Sequence, residues 1–244
     1  MAGHSKWSTI KRKKGALDAK RGKIFTRCIK EITVAVKQGG SGDPDANPRL
    51  RLAIDKARSV NMPNDNITRA LKRASGEDGA VEQMEARYEG YGPSGTAILV
   101  ETVTDNKNRT VSEVRHAFNK AGGNLGQDGC VSYLFEQKGL IVIEKSSITE
   151  DELMDIALGN GAEDIQDENE IWEVTADPST FFELKNSLDD KCKIELAEIQ
   201  MLPSTRINLE GKDLESFQKL IDVLEDLDDV INVFSNADFD EESE

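Results

Sequence analysis

The residues best placed to do chemistry in this chain are cations. Lys6, Lys11, Arg12, Lys13, Lys14, Lys20, Arg21, Lys23, Arg27 and Lys30 fall in the first thirty positions, against a single acid, Asp18. Clustered ammonium and guanidinium groups neutralise phosphates and release their counterions, so the chemistry on offer is binding of a polyphosphate. Trp7 stands among them and serves either to stack on a base or to pin the arm to the helices that follow. Arg49 and Arg51 extend the basic series. Lys107 and Arg109, in the segment TDNKNRT between a strand and a helix, are further candidate phosphate contacts. In the same segment Asp105 or Asn106 is suited to cap the helix; the capping role is the stronger expectation and the two are compatible.

The rest of the chain makes that cluster unusual. The 244 residues carry a formal net charge of -15. Residues 1–78 hold 18 Lys and Arg against 8 Asp and Glu, a net of +10, whereas the remainder holds 13 against 38, a net of -25. A reversal of sign on this scale points to different partners for the two parts, and the acidic part should repel a second pass of nucleic acid.

Other chemistries find no support. The cysteines Cys28, Cys130 and Cys192 are widely spaced and odd in number, which is no disulfide framework and suits a reducing compartment. With His4 and His116 the only histidines, no Cys/His zinc cluster can be built, and neither a metal nor a cofactor is expected. Gly90-Tyr91-Gly92-Pro93-Ser94-Gly95 fits G-x-G-x-x-G literally, yet it leads into a strand and lacks the helix N-terminus that would hold a pyrophosphate. Gly123-Asn124-Leu125-Gly126 fits a GXXG loop but also leads into a strand rather than a second helix, so a helix-end turn is the better reading. No Ser or Cys is paired with a general base at recognisable spacing, and the expectation is a non-enzyme. No stretch approaches the roughly 18 apolar residues that span a bilayer, and no membrane partner is expected. The basic start lacks the apolar core of a secretory signal, and it is Lys-rich rather than Arg- and Ser-rich like a transit peptide. A retained segment and a cytoplasmic location are therefore expected.

The elements that position these residues follow from periodicity. In GKIFTRCIKEITVAVKQGG the apolar Phe25, Cys28, Ile29, Ile32 and Val36 share one side of a helix. Lys20, Lys23, Arg27, Lys30 and Lys37 fall on another side, within about 100° of arc, with Arg21 and Val34 breaking the segregation. Gly39-Gly40 ends this helix. Asn47 and Pro48 predict the cap and first residue of a second helix with Leu50, Ala53, Ile54, Ala57 and Val60 inward. A third starts around Pro63–Asp65 and stops at Gly76. Beyond the linker GEDGAVEQ, strands are predicted at 96–104, 130–137 and 140–145. A hairpin turns at Asp167–Asn169, and further strands follow in KIELAEIQML, RINL and VINVFSN, with helices between. The fold class is α+β and multidomain: an N-terminal all-α domain, then two ferredoxin-like βαββαβ domains. A tandem arrangement would place a border inside the tight hairpin near residue 169, so insertion is preferred. The expected domains are 1–78, 79–137 with 203–240, and an inserted 138–202.

The strings MAGHSKWSTIKRKK, DAKRGKIFTR, DPDANPRLRLAIDKA, NMPNDNITRA, YEGYGPSG and TDNKNRT, in this order, resemble the YebC/PmpR family over nearly the whole chain. That resemblance implies three domains, helical first and α+β beyond, in a cytoplasmic bacterial protein usually described as a DNA-binding transcriptional regulator. It also implies a link to translation, through a mitochondrial branch that activates cytochrome oxidase synthesis and bacterial members found with the ribosome. Two partners therefore stand side by side at this level: duplex DNA, and the ribosome held through its RNA. A small-molecule sensor or enzyme built on the α+β pair is the weakest alternative.

Overall fold

The computed structural model describes residues 21–76, 83–168 and 170–239. The described residues divide into two compact units. One runs from Arg21 to Ser132 and resumes from Leu209 to Ser235; the other spans Tyr133–Asn208 and continues from Asn236.

The first unit begins with three helices, α1 (Arg21–Gly39), α2 (Pro48–Ser59) and α3 (Asn64–Ala74). Asn47 caps α2, its side chain accepting from the Leu50 N–H while its amide donates to the carbonyls of Ala35 and Ser41. One buried residue thus ends one helix region and starts the next. Cys28, Ile32 and Val36 of α1 pack with Leu50, Ile54 and Ala57 of α2 and with Ile67 and Ala70 of α3. The inward faces read from periodicity are the packed ones, with Phe25, Ile29 and Val60 partly buried against this core. Val34 is buried as well, on a different side of α1, and α1 also touches the strands Ala97–Thr104 and Val230–Ser235. The apolar residue that interrupts the basic stripe marks a second packed face.

Those strands belong to an antiparallel sheet of order β3-β1-β2-β9, comprising β1 (Met84–Tyr91), β2 (Ala97–Thr104), β3 (Asn124–Leu125) and, late in the chain, β9 (Val230–Ser235). Helices α4 (Lys107–Lys120) and α7 (Gly211–Asp226) pack against each other and against it. Phe118 and Leu220 are core residues of this layer, and they explain the glycine string. A Cβ on Gly90 would lie 2.8 Å from Phe118 Cε1 and 2.6 Å from the Asn124 carbonyl oxygen, and one on Gly92 would lie 2.8 Å from Ile98 Cδ1. The G-x-G-x-x-G match is packing and turn chemistry.

The second unit carries β4 (Phe135–Glu144), α5 (Glu150–Gly159), β5 (Ala162–Glu168), β6 (Ile171–Ala176), α6 (Phe181–Asp189) and β7 (Ile194–Pro203). Its sheet order β5-β6-β4-β7, antiparallel throughout, is that of a split-βαβ ferredoxin-like domain, with β5 and β6 forming the tight hairpin. The chain is α+β and multidomain, with helices first and sheet domains after.

Three strands differ from the expectation. Residues 130–137 are not one strand: Ser132–Leu134 form a 3-10 turn, and a single strand, β4, covers 135–144. The cause is Glu89, only 6% exposed, whose carboxylate accepts from the N–H groups of Gly129 at 2.9 Å and of Val131 and Ser132 at 2.8 Å each. Backbone donors captured in this way cannot feed a sheet ladder. Residues 135–137 pair instead with Met201–Pro203, and the two compact units divide at Ser132/Tyr133 and Asn208/Leu209. RINL does not join a large sheet: Ile207–Asn208 (β8) pair in parallel with Ala237–Asp238 (β10). The place is filled by β1, whose alternation of Met84, Ala86 and Tyr88 with Glu85, Arg87 and Glu89 is the period of a strand.

Candidate nucleic-acid interface

Lys6, Trp7, Lys11, Arg12, Lys13, Lys14 and Lys20 lie outside the described residues, as does the side chain of Arg21. The remaining candidates sort by what holds them.

Lys30 is turned into the fold. Its ammonium donates to the carbonyls of Val103 at 2.9 Å and Asp228 at 2.7 Å and to Asp229 Oδ1 at 2.9 Å, and its side chain is 13% exposed. An ammonium has three protons, and here each has an acceptor. Lys23 donates to the Asp226 carbonyl at 2.9 Å. Arg27 is half-buried and Lys37 exposed, on the same helix.

Arg109 meets the same acid from the other side. Its Nη2 lies 2.7 Å from Asp229 Oδ2 and 2.8 Å from Asp105 Oδ1. Asp229 Oδ2 also accepts from the hydroxyls of Thr110 at 2.8 Å and Thr104 at 3.0 Å. Asp229 is 4% exposed. Burial alone would raise its pKa, but hydrogen bonds from Arg109, Lys30 and Thr110, with the charge of Lys30, hold the carboxyl well below the usual carboxylate range. Asp229 in turn, with Asp105, strengthens the charged form of Arg109. The surrounding hollow, about 590 Å³, is lined by Lys23, Arg109, Glu113, Asp226, Leu227, Asp228 and Asp229. With four carboxylates to two cations the hollow is acidic, and Arg109 is held at its edge by Asp229 and Asp105. Asn106 caps α4 by accepting from the Arg109 N–H at 3.1 Å, as the sequence suggested.

Arg49 pairs with Glu85 at 2.6 Å, and Arg51 braces the loop before α2 through the carbonyls of Pro44 and Asp45. Lys107 is exposed in the first turn of α4.

Three available cations on the N-terminal helices were not among those singled out. Arg69, Lys72 and Arg73 of α3 are exposed, opposite its buried Ile67 and Ala70. Lys72 and Arg73 form no ion pair among the described residues, and Arg69 donates only to Asn66 Oδ1 and the Asp65 carbonyl. The signal was present, since basic residues at i, i+3 and i+4 opposite an apolar stripe are the pattern already applied to α1. Among the described residues no group of His, Cys, Asp and Glu is arranged to hold a metal ion.

Comparison with known proteins gives a consistent picture. Residues 5–77 match the family domain described as TACO1/YebC protein N-terminal domain, and residues 83–237 match TACO1/YebC second and third domain. A probable transcriptional regulatory protein of Geobacter sp. (strain M21) is 57% identical over 243 residues, covering 99% of this chain and 98% of that protein. One from Desulforapulum autotrophicum is 54% identical over the same shares. The crystal structure of a conserved hypothetical protein from Aquifex aeolicus superposes with a TM-score of 0.82 at 44% identity, covering 93% of each chain.

Proposed function

This chain belongs to the TACO1/YebC family, and on that premise we propose that it is a non-enzymatic, cytoplasmic regulator of gene expression. In this reading it is a DNA-binding transcriptional regulator that grips the phosphate backbone through its basic N-terminal helices. The observation that carries the reading is the outward face of α3, where Arg69, Lys72 and Arg73 are exposed in a segment of net +10 within an acidic protein. Such a face neutralises phosphates at steep salt dependence. The arm residues Lys6, Lys11, Arg12, Lys13 and Lys14, with Trp7, would extend the same footprint. The acidic remainder confines nucleic acid to this part of the molecule by repulsion.

A second reading, a ribosome-associated translation factor holding ribosomal RNA, is favoured by one detail. Asn66, a residue type suited to reading adenine, is occupied on this face by Arg69 at 2.7 Å. That leaves phosphate contacts, which position a protein without reading sequence and suit RNA as well as DNA.

Crosslinking in cells with sequencing of the attached nucleic acid, alongside ribosome co-sedimentation, separates the two. Promoter DNA with absence from ribosomal fractions supports the transcriptional reading. Ribosomal RNA with little DNA overturns it in favour of the translational one. Recovery of neither polymer sinks both.

A further inference from the structure

The sheet of the second unit has two faces, and helices account for one of them. Phe181 of α6 lies over Gly139, where a Cβ would collide with its ring, and α5 packs beside α6. Residues directly opposite in an antiparallel ladder share a face. The register therefore places Leu140, Val142, Ile171, Leu196 and Leu202 on the other face. Glu136, Glu144, Asp164, Glu168, Glu173 and Glu198 share it. Lys138 is the one cation among these register positions and is itself paired with Glu136 and Glu163.

The uncovered face of such a sheet ordinarily meets water. Here Leu140, Val142 and Ile171 are buried, and Glu173, opposite Val142, is only 2% exposed. Among the described residues, the apolar cluster on this face is drawn from the strands of the sheet itself. A carboxylate so deep is tolerated only against cations or N–H donors. The face calls for a cover that is apolar at its centre and positive around it.

We propose that this cover is the chain's own basic arm, residues 1–20. Of the stretches outside the described residues, 77–82 and 240–244 are acidic, position 169 is a single residue, and only 1–20 bears cations. Lys6, Lys11, Arg12, Lys13, Lys14 and Lys20 stand there against Asp18, with the apolar Trp7, Ile10 and Leu17 interspersed. An arm of this length, joined to α1 at Arg21, spans up to about 70 Å, over twice the diameter of a small domain. The docking stands whichever polymer the helices bind. On the nucleic-acid reading it adds a control, because sheet and polyphosphate draw on the same cations and the free protein keeps its arm covered.

The test is zero-length carbodiimide crosslinking of the full chain, as a dilute equal mixture of unlabelled and heavy-isotope-labelled protein, with the joined peptides identified by mass spectrometry. The Lys193–Glu144 pair, at 2.6 Å, is the internal positive control. We expect bonds from Lys6, Lys11, Lys13 or Lys14 to Glu173, Glu198, Glu168 or Glu144, within chains of one isotope. Arm lysines joined to none of these acids overturn the docking. Crosslinks found only between light and heavy chains overturn it too, since the cover is then the arm of a second copy. Tryptic cleavage within the arm is the second readout, because its rate follows the population of the undocked arm. E173Q/E198Q should speed it about tenfold. E150Q/E183Q removes the same charge from exposed positions on α5 and α6 and should leave the wild-type rate. Equal rates in the two variants overturn the docking. The salt dependence of nucleic-acid binding in R69A/K72A/R73A judges the nucleic-acid reading separately, so each can fail without the other.

Discussion

Lys30 and Asp229 stand 199 positions apart in sequence and meet at 2.9 Å, with both side chains largely withdrawn from water. The contact joins the first described helix to the start of the strand that closes the first sheet. Arg109, Thr104 and Thr110 complete the set of donors to the same carboxylate. A buried charge without partners is costly, whereas one with several donors on both oxygens is tolerated and fixes geometry.

Removing the acid should therefore cost more than removing either cation. Asp229→Ala strands the Lys30 ammonium beside two carbonyls and frees Arg109, and we expect a loss of about 3 kcal/mol in urea unfolding. Lys30→Met leaves Asp229 with Arg109 and two hydroxyls, so roughly 1–2 kcal/mol is expected. Equal losses in the two variants would show that the carboxylate is not the centre of the network.

The same carboxylate sets an acid limit. Its folded pKa lies below the value of about 3.9 that an unfolded Asp has, so the unfolded state binds the proton first as pH falls. The stabilisation is complete above the unfolded value and is lost as pH drops toward the folded one. Asp229→Asn has no such proton to bind. Its stability measured from pH 6 down to 3 should fall less steeply than that of the wild type, and parallel curves would refute the assignment.

Glu89 plays a comparable part for the loop that leads out of the first unit. Burial works against its charge, but the backbone donors of Val131, Gly129 and Ser132 lower its pKa. Glu89→Gln turns one oxygen into a donor facing donors, and a loss of about 2 kcal/mol is expected. Amide exchange should quicken at Gly129, Val131 and Ser132 specifically. Protection unchanged at those three positions would mean that the loop is held by something else.

These networks mark where sequence reading reaches its limit. The helices were legible because their signals are local: Asn47-Pro48 at a start, Gly40 at φ +64 and Gly76 at φ +90 after ends, and apolar residues at helical spacing. The second sheet was legible because its hairpin is tight and its strands are rich in apolar residues. Residues 130–137 were misread because their fate is decided by Glu89, some forty positions away, and no local pattern reports that. Lys30 and Arg109 carry the same local signal as a nucleic-acid contact, and no local pattern reports that both also meet the buried carboxylate of Asp229. Val34 was the one local hint, an apolar residue on a side of α1 otherwise read as basic and exposed. Arg69, Lys72 and Arg73 failed to stand out for the opposite reason, since the denser cationic run before residue 30 drew the weight of the charge argument.

That division predicts a separation of stability from binding. Lys30→Met should weaken the fold yet leave the salt dependence of nucleic-acid binding as in the wild type, because its ammonium has no proton to offer a phosphate. R69A/K72A/R73A should do the reverse. These side chains are exposed, so stability should change by less than about 0.5 kcal/mol. On duplex DNA the slope of log affinity against log salt should flatten by about 3, one for each cation removed. The two variants are measured side by side, unfolding by urea and binding by anisotropy across salt. A flattened slope in Lys30→Met would place that residue at the phosphates after all, and an unaltered slope in the triple variant would remove α3 from the interface.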